Sequence, residues 1–302
     1  MSGTLTDWPA STLTIVADGG PKVAGKEWAR GMDELAANPD ELLKIAVEVA
    51  REAAATARRM RAEGVSGVAT KSTSTDVVTA ADRAVERQVA AALRELRPRD
   101  RILGEEYGDS SADGSSGVRW ILDPIDGTVN YLYGLPEYAV SLAAEVDGVV
   151  VAGVVCNAAT GDEWRAVRGG GAYRDGERLT GSAQTDLAQA LVATGFAYDP
   201  ARRAHQAAVL SGLISEVRDI RRFGAAALDL CRAAEGSVDA YYEKGLNIWD
   251  LAAGGLIAAE AGLRVEGLRG APPGPELVIA APPALFGPLH DHLARLDAAG
   301  GP

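Results

Sequence analysis

Acidic residues stand where apolar runs end, at three separate places in the chain. The segment Trp120-Ile121-Leu122-Asp123-Pro124-Ile125-Asp126-Gly127-Thr128 sets two carboxylates three residues apart at the exit of a hydrophobic run. Ile102-Leu103 is followed by Gly104-Glu105-Glu106, and Asn247-Ile248-Trp249 is followed by Asp250. Each aspartate has a plain reading as a helix cap or the closing residue of an Asx-turn. Taken together, such acids beside apolar neighbours repel one another and lose hydration, which is destabilising unless cations join them. Oxygen ligands without Cys or His select Mg²⁺, Mn²⁺ or Ca²⁺ rather than zinc. Mg²⁺ is typically held by a few carboxylates plus substrate phosphate, and two such ions can clamp the attacking and leaving oxygens of a phosphoryl displacement. Gly127 permits unusual backbone angles, and Thr128 and Asn130 bring polar groups to the next segment, where backbone N–H groups can face an anion.

Elements of both kinds are needed to position this set. Asn38 as N-cap, Pro39 at the first helical position and Asp40 and Glu41 in the first turn predict a helix with Leu42, Ile45, Ala46, Val49 and Ala53 on one face, running to about Glu63 and stopped by Gly64. A second helix is predicted after Thr79, through Val85, Val89, Leu93 and Leu96 to Pro98. Thr79-x-x-Asp82 reads as its capping pair. Strands are predicted at 119–122, 138–146, 149–156 and 162–167, followed by a turn-rich stretch at 169–179; together they suit an antiparallel sheet. Pro124 should end the first of these strands. Beyond about residue 183 strands and helices alternate: strands at 190–194, 217–221, 240–243 and 276–280, helices at 205–216, 225–236 and 249–261. The expected organisation is an extension at 1–37 with little order, an N-terminal α+β domain at 38–183 and a C-terminal α/β domain at 184–297. Met32 is a candidate biological start.

The bulk composition restricts partners. The 302 residues are 47% hydrophobic and 24% charged, enough for one large or two ordinary domains. The net charge of −12 argues against nucleic acid or anionic lipid as a main partner, so an anionic substrate must meet something locally positive. No apolar segment is long enough to span a bilayer and the first residues lack a signal-peptide pattern, so a cytoplasmic protein is expected. Cys156 and Cys231 lie far apart without a metal-ligand spacing and read as buried thiols. His205, His290 and His292 fall outside every motif, and His290 and His292, two apart in a C-terminal helix, read as surface residues.

The ordered motifs W-x-x-D-P-I-D-G-T-x-N, an upstream G-E-E and a downstream W-D-x-A-A-G resemble those of the magnesium-dependent, lithium-sensitive inositol monophosphatases, and the likeness runs from about Asn38 to Arg295. It is nearest to the bacterial, actinobacterial-like branch. The resemblance implies a layered αβαβα sandwich like that of the inositol monophosphatases and fructose-1,6-bisphosphatases. It implies that Glu105, Asp123 and the Ile125 carbonyl bind one metal, that Asp123, Asp126 and Asp250 bind a second, and that Glu105 shares a third, weaker ion. Two to three Mg²⁺ per subunit follow, with Mn²⁺ as a substitute. Gly127 and Thr128 match positions whose backbone N–H groups hold phosphate. The Thr128 hydroxyl orients the attacking water, Asp82 bonds that threonine, and Lys71 stands near the water. Asp126, Ala226 and Glu243 lie on the substrate side, Glu243 taking hydrogen bonds from its hydroxyls. The bland alternatives are a surface lysine at 71 and a strand-end charge at 243. Ala225 and Val129 depart from the family pattern, replacing a hydroxyl residue and a threonine. The implied activity is hydrolysis of myo-inositol monophosphate by metal-activated water, without a phosphoenzyme, in a homodimer with no membrane partner. Histidinol phosphate, fructose 1,6-bisphosphate and a 3′-phosphoadenosine nucleotide are the alternative substrates, and a regulatory role on transcription machinery is the alternative to catalysis.

Overall fold

Asn38 opens the first helix, α1 (Pro39–Glu63), its side chain accepting from the backbone of Asp40 at 2.9 Å, and Gly64 closes it. This computed structural model describes residues 37–110 and 116–302, which belong to one compact unit. Residues 1–36 of the expected extension, with Met32, lie outside the described residues. A short ribbon, β1 (Ala69–Thr70) with β2 (Val77–Val78), leads into α2 (Ala80–Leu96), where Thr79 and Asp82 form a capping box.

The chain then lays down β3 (Arg101–Gly104), β4 (Gly108–Ser110), β5 (Val118–Asp126), a six-residue helix α3 (Thr128–Tyr133), β6 (Ala139–Val146), β7 (Val149–Asn157), β8 (Glu163–Val167), β9 (Gly171–Arg174) and β10 (Glu177–Arg178). They form one eight-stranded sheet in the order β10-β9-β8-β7-β6-β5-β3-β4. Two expectations are corrected here. The sheet is mixed rather than antiparallel, because β3 and β5 run parallel with Gly104 opposite Leu122. That pairing sends both strands out at the same end and brings Glu105 to Asp123. Nor does Pro124 end β5: the strand continues to Asp126 through a bulge, with Asp123 opposite Ser141 and Asp126 opposite Ala139. Past Leu122, β5 has lost β3 as a neighbour, so the missing proline N–H costs no ladder bond there.

The second sheet is built from β11 (Leu191–Thr194), β12 (Asp219–Arg221), β13 (Ala240–Glu243), β14 (Arg264–Glu266) and β15 (Val278–Ala281), in the order β12-β11-β13-β15-β14. Its helices are α4 (Pro200–Leu213), α5 (Ala226–Glu235), α6 (Ile248–Glu260) and α7 (Pro283–Arg295). Strand alternation assigns the layers. On β5, Trp120 and Leu122 pack toward α1 and α2, whereas Ile121 joins a core made by α5, α6 and the inner face of the second sheet, including Ala193, Tyr241 and Ala280. The outer face of that sheet, with Val192 and Ile279, is covered by α4 and α7 through Val209, Leu213, Leu285 and Leu289. The resulting order of helices, sheet, helices, sheet, helices is the expected αβαβα sandwich. Cys156 and Cys231 are buried and free. His290 and His292 differ from the surface reading: both are half-buried, Nε2 of His292 lying against the Gly212 carbonyl and that of His290 accepting from Arg269 N–H, and His205 is half-buried as well, its Nε2 against the Asp297 carbonyl. Among the described residues no helix is long and apolar enough to cross a membrane.

Candidate active site

Four element ends converge on a cavity of about 650 Å³: the exits of β3, β5 and β13 and the start of α6. Asp123, Asp126 and Asp250 each turn a carboxylate oxygen to within 4.8 Å of the others. The bulge after Asp123 supplies the spacing on one strand. Asp123 Oδ1 accepts from the Ile125 N–H at 3.0 Å, which folds the Pro-Ile turn back and leaves Ile125 at the cavity wall. Asp250 closes a capping box on α6, accepting from Asn247 N–H at 2.7 Å. Asp126 accepts from the N–H groups of Ala226 and Ala227, at 3.2 and 2.8 Å, and so caps α5 from another sheet. That contact gives a physical account of Ala225: it occupies the N-cap position of α5 without a side-chain cap bond, and the Asp126 carboxylate does that work instead.

Burial dominates the electrostatics. It pushes Asp123 far above the carboxylate range, helped by the charges of Glu105, Asp126 and Asp250. Burial likewise lifts Asp250 well up and Asp126 to about 7, the latter against two helix N–H bonds. The local ammonium is already committed, since Lys71 Nζ donates to Glu105 at 2.8 Å and also to Glu106. Glu106 is therefore paired rather than solvent-facing, and Lys71 is an ion-pair partner inside the cavity rather than a free surface lysine. The carboxylate of Glu105 is raised by burial and lowered by Lys71, and its charge acts on Asp123 from beside the three aspartates. All-oxygen donors that repel one another and, among the described residues, have no ion-pair partner at Asp123, Asp126 or Asp250 are what a divalent cation fits.

Gly127 sits at φ 88°, and a Cβ there would meet the Glu137 carbonyl at 2.6 Å, so the turn into α3 requires glycine. Asn130 ties α3 down by donating to the carbonyls of Glu137 and Phe223 at 2.7 and 2.8 Å. Thr128 Oγ1 lies 3.1 Å from both Asp82 Oδ1 and the Ile125 carbonyl. Asp82 is fully buried and its other oxygen accepts from Thr79, so the capping role and the threonine contact coexist. Glu243 faces the same cavity, accepts from the Tyr241 hydroxyl at 2.7 Å, and is pushed by burial to about 7. It is not a strand-end surface charge. Ala226 also lines the cavity, with its N–H spent on Asp126. Sequence reasoning missed Tyr241, although its two-residue spacing from Glu243 on a strand put both on one face. It also missed Gly195, where a side chain would collide with the Glu243 carboxylate, and the Phe196–Tyr198 wall, for which the sequence carries no signal.

Residues 38–296 match the model of the inositol monophosphatase family. The chain belongs to that family. It is 48% identical over 278 residues to a Mycobacterium leprae protein named inositol-1-monophosphatase, covering 86% of this chain and 96% of that one. The solved structure of Mycobacterium tuberculosis SuhB superposes with a TM-score of 0.74 at 42% identity, over 87% of this chain and all of that one. A more distant relative, the Nus factor SuhB of Pasteurella multocida, is 38% identical over 222 residues, 73% of this chain and 83% of that one. The family's fold thus accounts for the five layers.

Proposed function

We infer that the protein is a Mg²⁺-dependent phosphomonoesterase that hydrolyses myo-inositol monophosphate to inositol and phosphate. One observation carries this: the carboxylates of Asp123, Asp126 and Asp250, two of them buried and the third half-buried, lie within 4.8 Å of one another, make no ion pair among the described residues, and open into the cavity that also holds Glu243. Asp123, Asp126 and Asp250, with Glu105 and the Ile125 carbonyl, are the residues that would hold two to three Mg²⁺, or Mn²⁺ as a substitute. Such ions, when bound, offset phosphate charge and lower the pKa of an attacking water. The protein's own groups supply orientation. Thr128 donates to Asp82, which leaves the threonine oxygen free to accept from the attacking water. Lys71 fixes the Glu105 carboxylate. The N–H groups of Gly127 and Thr128 hold the phosphate, and Glu243, oriented by Tyr241, accepts from polyol hydroxyls.

Phosphate release from myo-inositol 1-phosphate, histidinol phosphate, fructose 1,6-bisphosphate and a 3′-phosphoadenosine nucleotide, each with Mg²⁺ and with chelator, tests the reading. Metal-dependent release fastest from the inositol ester supports it, and no metal-dependent release from any ester refutes it. The likeness to a Nus factor favours a second reading, binding to transcription machinery alongside catalysis; capture from lysate that is unaffected by Asp123→Asn would support it. Cytoplasmic residence, a homodimer and lithium sensitivity complete the reading, the last two open to light scattering and to inhibition by Li⁺.

A further inference from the structure

Helix α2 turns two buried carboxylates toward the site from one face. Asp82 and Glu86 are four residues apart, so they stack on the same side of the helix, and both are buried. Asp82 reaches Thr128, beyond the end of β5, whereas Glu86 reaches the three-residue turn at 105–107 that joins β3 to β4. Its Oε2 accepts from the Glu106 N–H at 2.8 Å and its Oε1 from the Tyr107 N–H at 3.0 Å. The Glu105 N–H donates to the Leu122 carbonyl at 3.2 Å, so all three N–H groups of the turn are held. The approach is close. A Cβ on Gly104 would overlap the Glu86 carboxylate, and Gly104 has no positive φ, so the glycine of Gly104-Glu105-Glu106 answers to space rather than to backbone angle.

A carboxylate is a costly choice for this place. Burial raises its pKa against the two N–H bonds, and Glu106 and Glu105 add like charge. A neutral amide would spare that cost, but glutamine has one acceptor oxygen and would turn its NH₂ toward the second N–H, leaving that group unsatisfied. The turn needs two acceptors side by side. Glu105 stands directly before the gripped pair, and its side chain must leave the turn toward Asp123, where Lys71 binds both it and Glu106. We propose that Glu86 is a positioning residue for Glu105: by holding the N–H groups of the turn, it aims the Glu105 carboxylate at the divalent cation. The proposal rests on the metal-dependent reading above.

The test is Mn²⁺ binding to the full chain, read from the electron paramagnetic resonance of the free ion, for the unsubstituted protein, Glu105→Ala, Glu86→Gln and the double variant. Hydrogen bonds that orient metal ligands are typically worth ten- to a hundredfold in affinity, so Glu86→Gln should raise the Kd of the ion that Glu105→Ala weakens by at least about tenfold. In the Glu105→Ala background the same substitution should change the affinity less than about twofold, because the residue it acts through is gone. Equal losses with and without Glu105, as a general loosening of the fold would give, overturn the proposal. So does Glu86→Asp binding Mn²⁺ as the unsubstituted chain does, since aspartate keeps the charge but falls short of the turn. Should Glu86→Gln fail to fold, Gly104→Ala serves in its place: its methyl displaces the carboxylate without removing it, a Kd raised about tenfold supports the proposal, and an unchanged Kd overturns it. An unsubstituted chain that binds no Mn²⁺ fails the metal-dependent reading and the proposal with it, whereas binding that Glu105→Ala weakens and Glu86→Gln does not refutes the proposal alone.

Discussion

Without divalent metal, this protein should lose stability as the pH rises through neutrality. Asp126 and Glu243 each titrate at about 7 in the folded protein, against ordinary values of 3.8 and 4.5. A carboxylate raised in this way binds its proton more tightly folded than unfolded, so between the two values the folded state holds more protons. Stability is then present at low pH and falls as pH climbs toward the folded value. For Asp126 the whole rise corresponds to on the order of 4 kcal/mol, of which roughly two thirds is lost between pH 5 and 8. Glu243 adds less than its separate share, because its charge is one of the causes that lift Asp126. A loss near 3 kcal/mol, at roughly 2–4 °C for each kcal/mol in a domain of this size, lowers the melting temperature by roughly 6–12 °C. Thermal melts after chelation at pH 5, 6, 7 and 8, repeated with saturating Mg²⁺, measure it. The expected pattern is a falling Tm without metal and a Mg²⁺ gain that grows with pH. A metal-free Tm that is flat or rising over this range, or a Mg²⁺ gain equal at pH 5 and 8, would refute the argument.

Asp123→Asn keeps an oxygen for the Ile125 N–H but removes a repelled buried charge. Chelated protein at pH 8 should gain on the order of 1–3 kcal/mol in denaturant unfolding, while turnover with Mg²⁺ falls at least about a hundredfold. Gly127→Ala forces a Cβ toward the Glu137 carbonyl at a positive φ, and should cost about 1–3 kcal/mol in the same unfolding assay together with a raised KM. Tyr241→Phe removes the donor to Glu243 Oε2; steady-state kinetics should show KM for the inositol ester raised about three- to tenfold with kcat changed far less.

Local chemistry was legible wherever its partners were close in sequence. The caps of Asn38 and Thr79 join residues two or three apart, and both helices begin where those residues place them. The near-continuous apolar runs of β6, β7 and β13 likewise required only neighbours. The failures share one cause, dependence on a neighbour that sequence does not display. Pro124 is tolerated within β5 because β3 stops pairing at Leu122. His290 and His292 are half-buried because Arg269 and Gly212 come from other segments. The motifs named the acidic residues, but that Lys71 joins both Glu105 and Glu106 depends on the ribbon of β1 and β2 lying beside the exit of β3.

Asp126 shows why the site is built across elements rather than within one. Both of its oxygens accept N–H groups from the first turn of α5, 100 or 101 residues away. Those bonds, and the positive end of the helix, lower its pKa against burial, so part of the charge is offset before any cation arrives. The same bonds orient the carboxylate toward Asp123 and Asp250. A serine or threonine at 225 would offer α5 a competing local cap. With alanine there, the helix start has no side-chain cap of its own and relies on Asp126, which joins α5 to the exit of β5. A helix terminus and a carboxylate proposed to hold metal therefore stabilise each other. Substituting Asp126 should disturb the placement of Ala226 as well as the charge of the site.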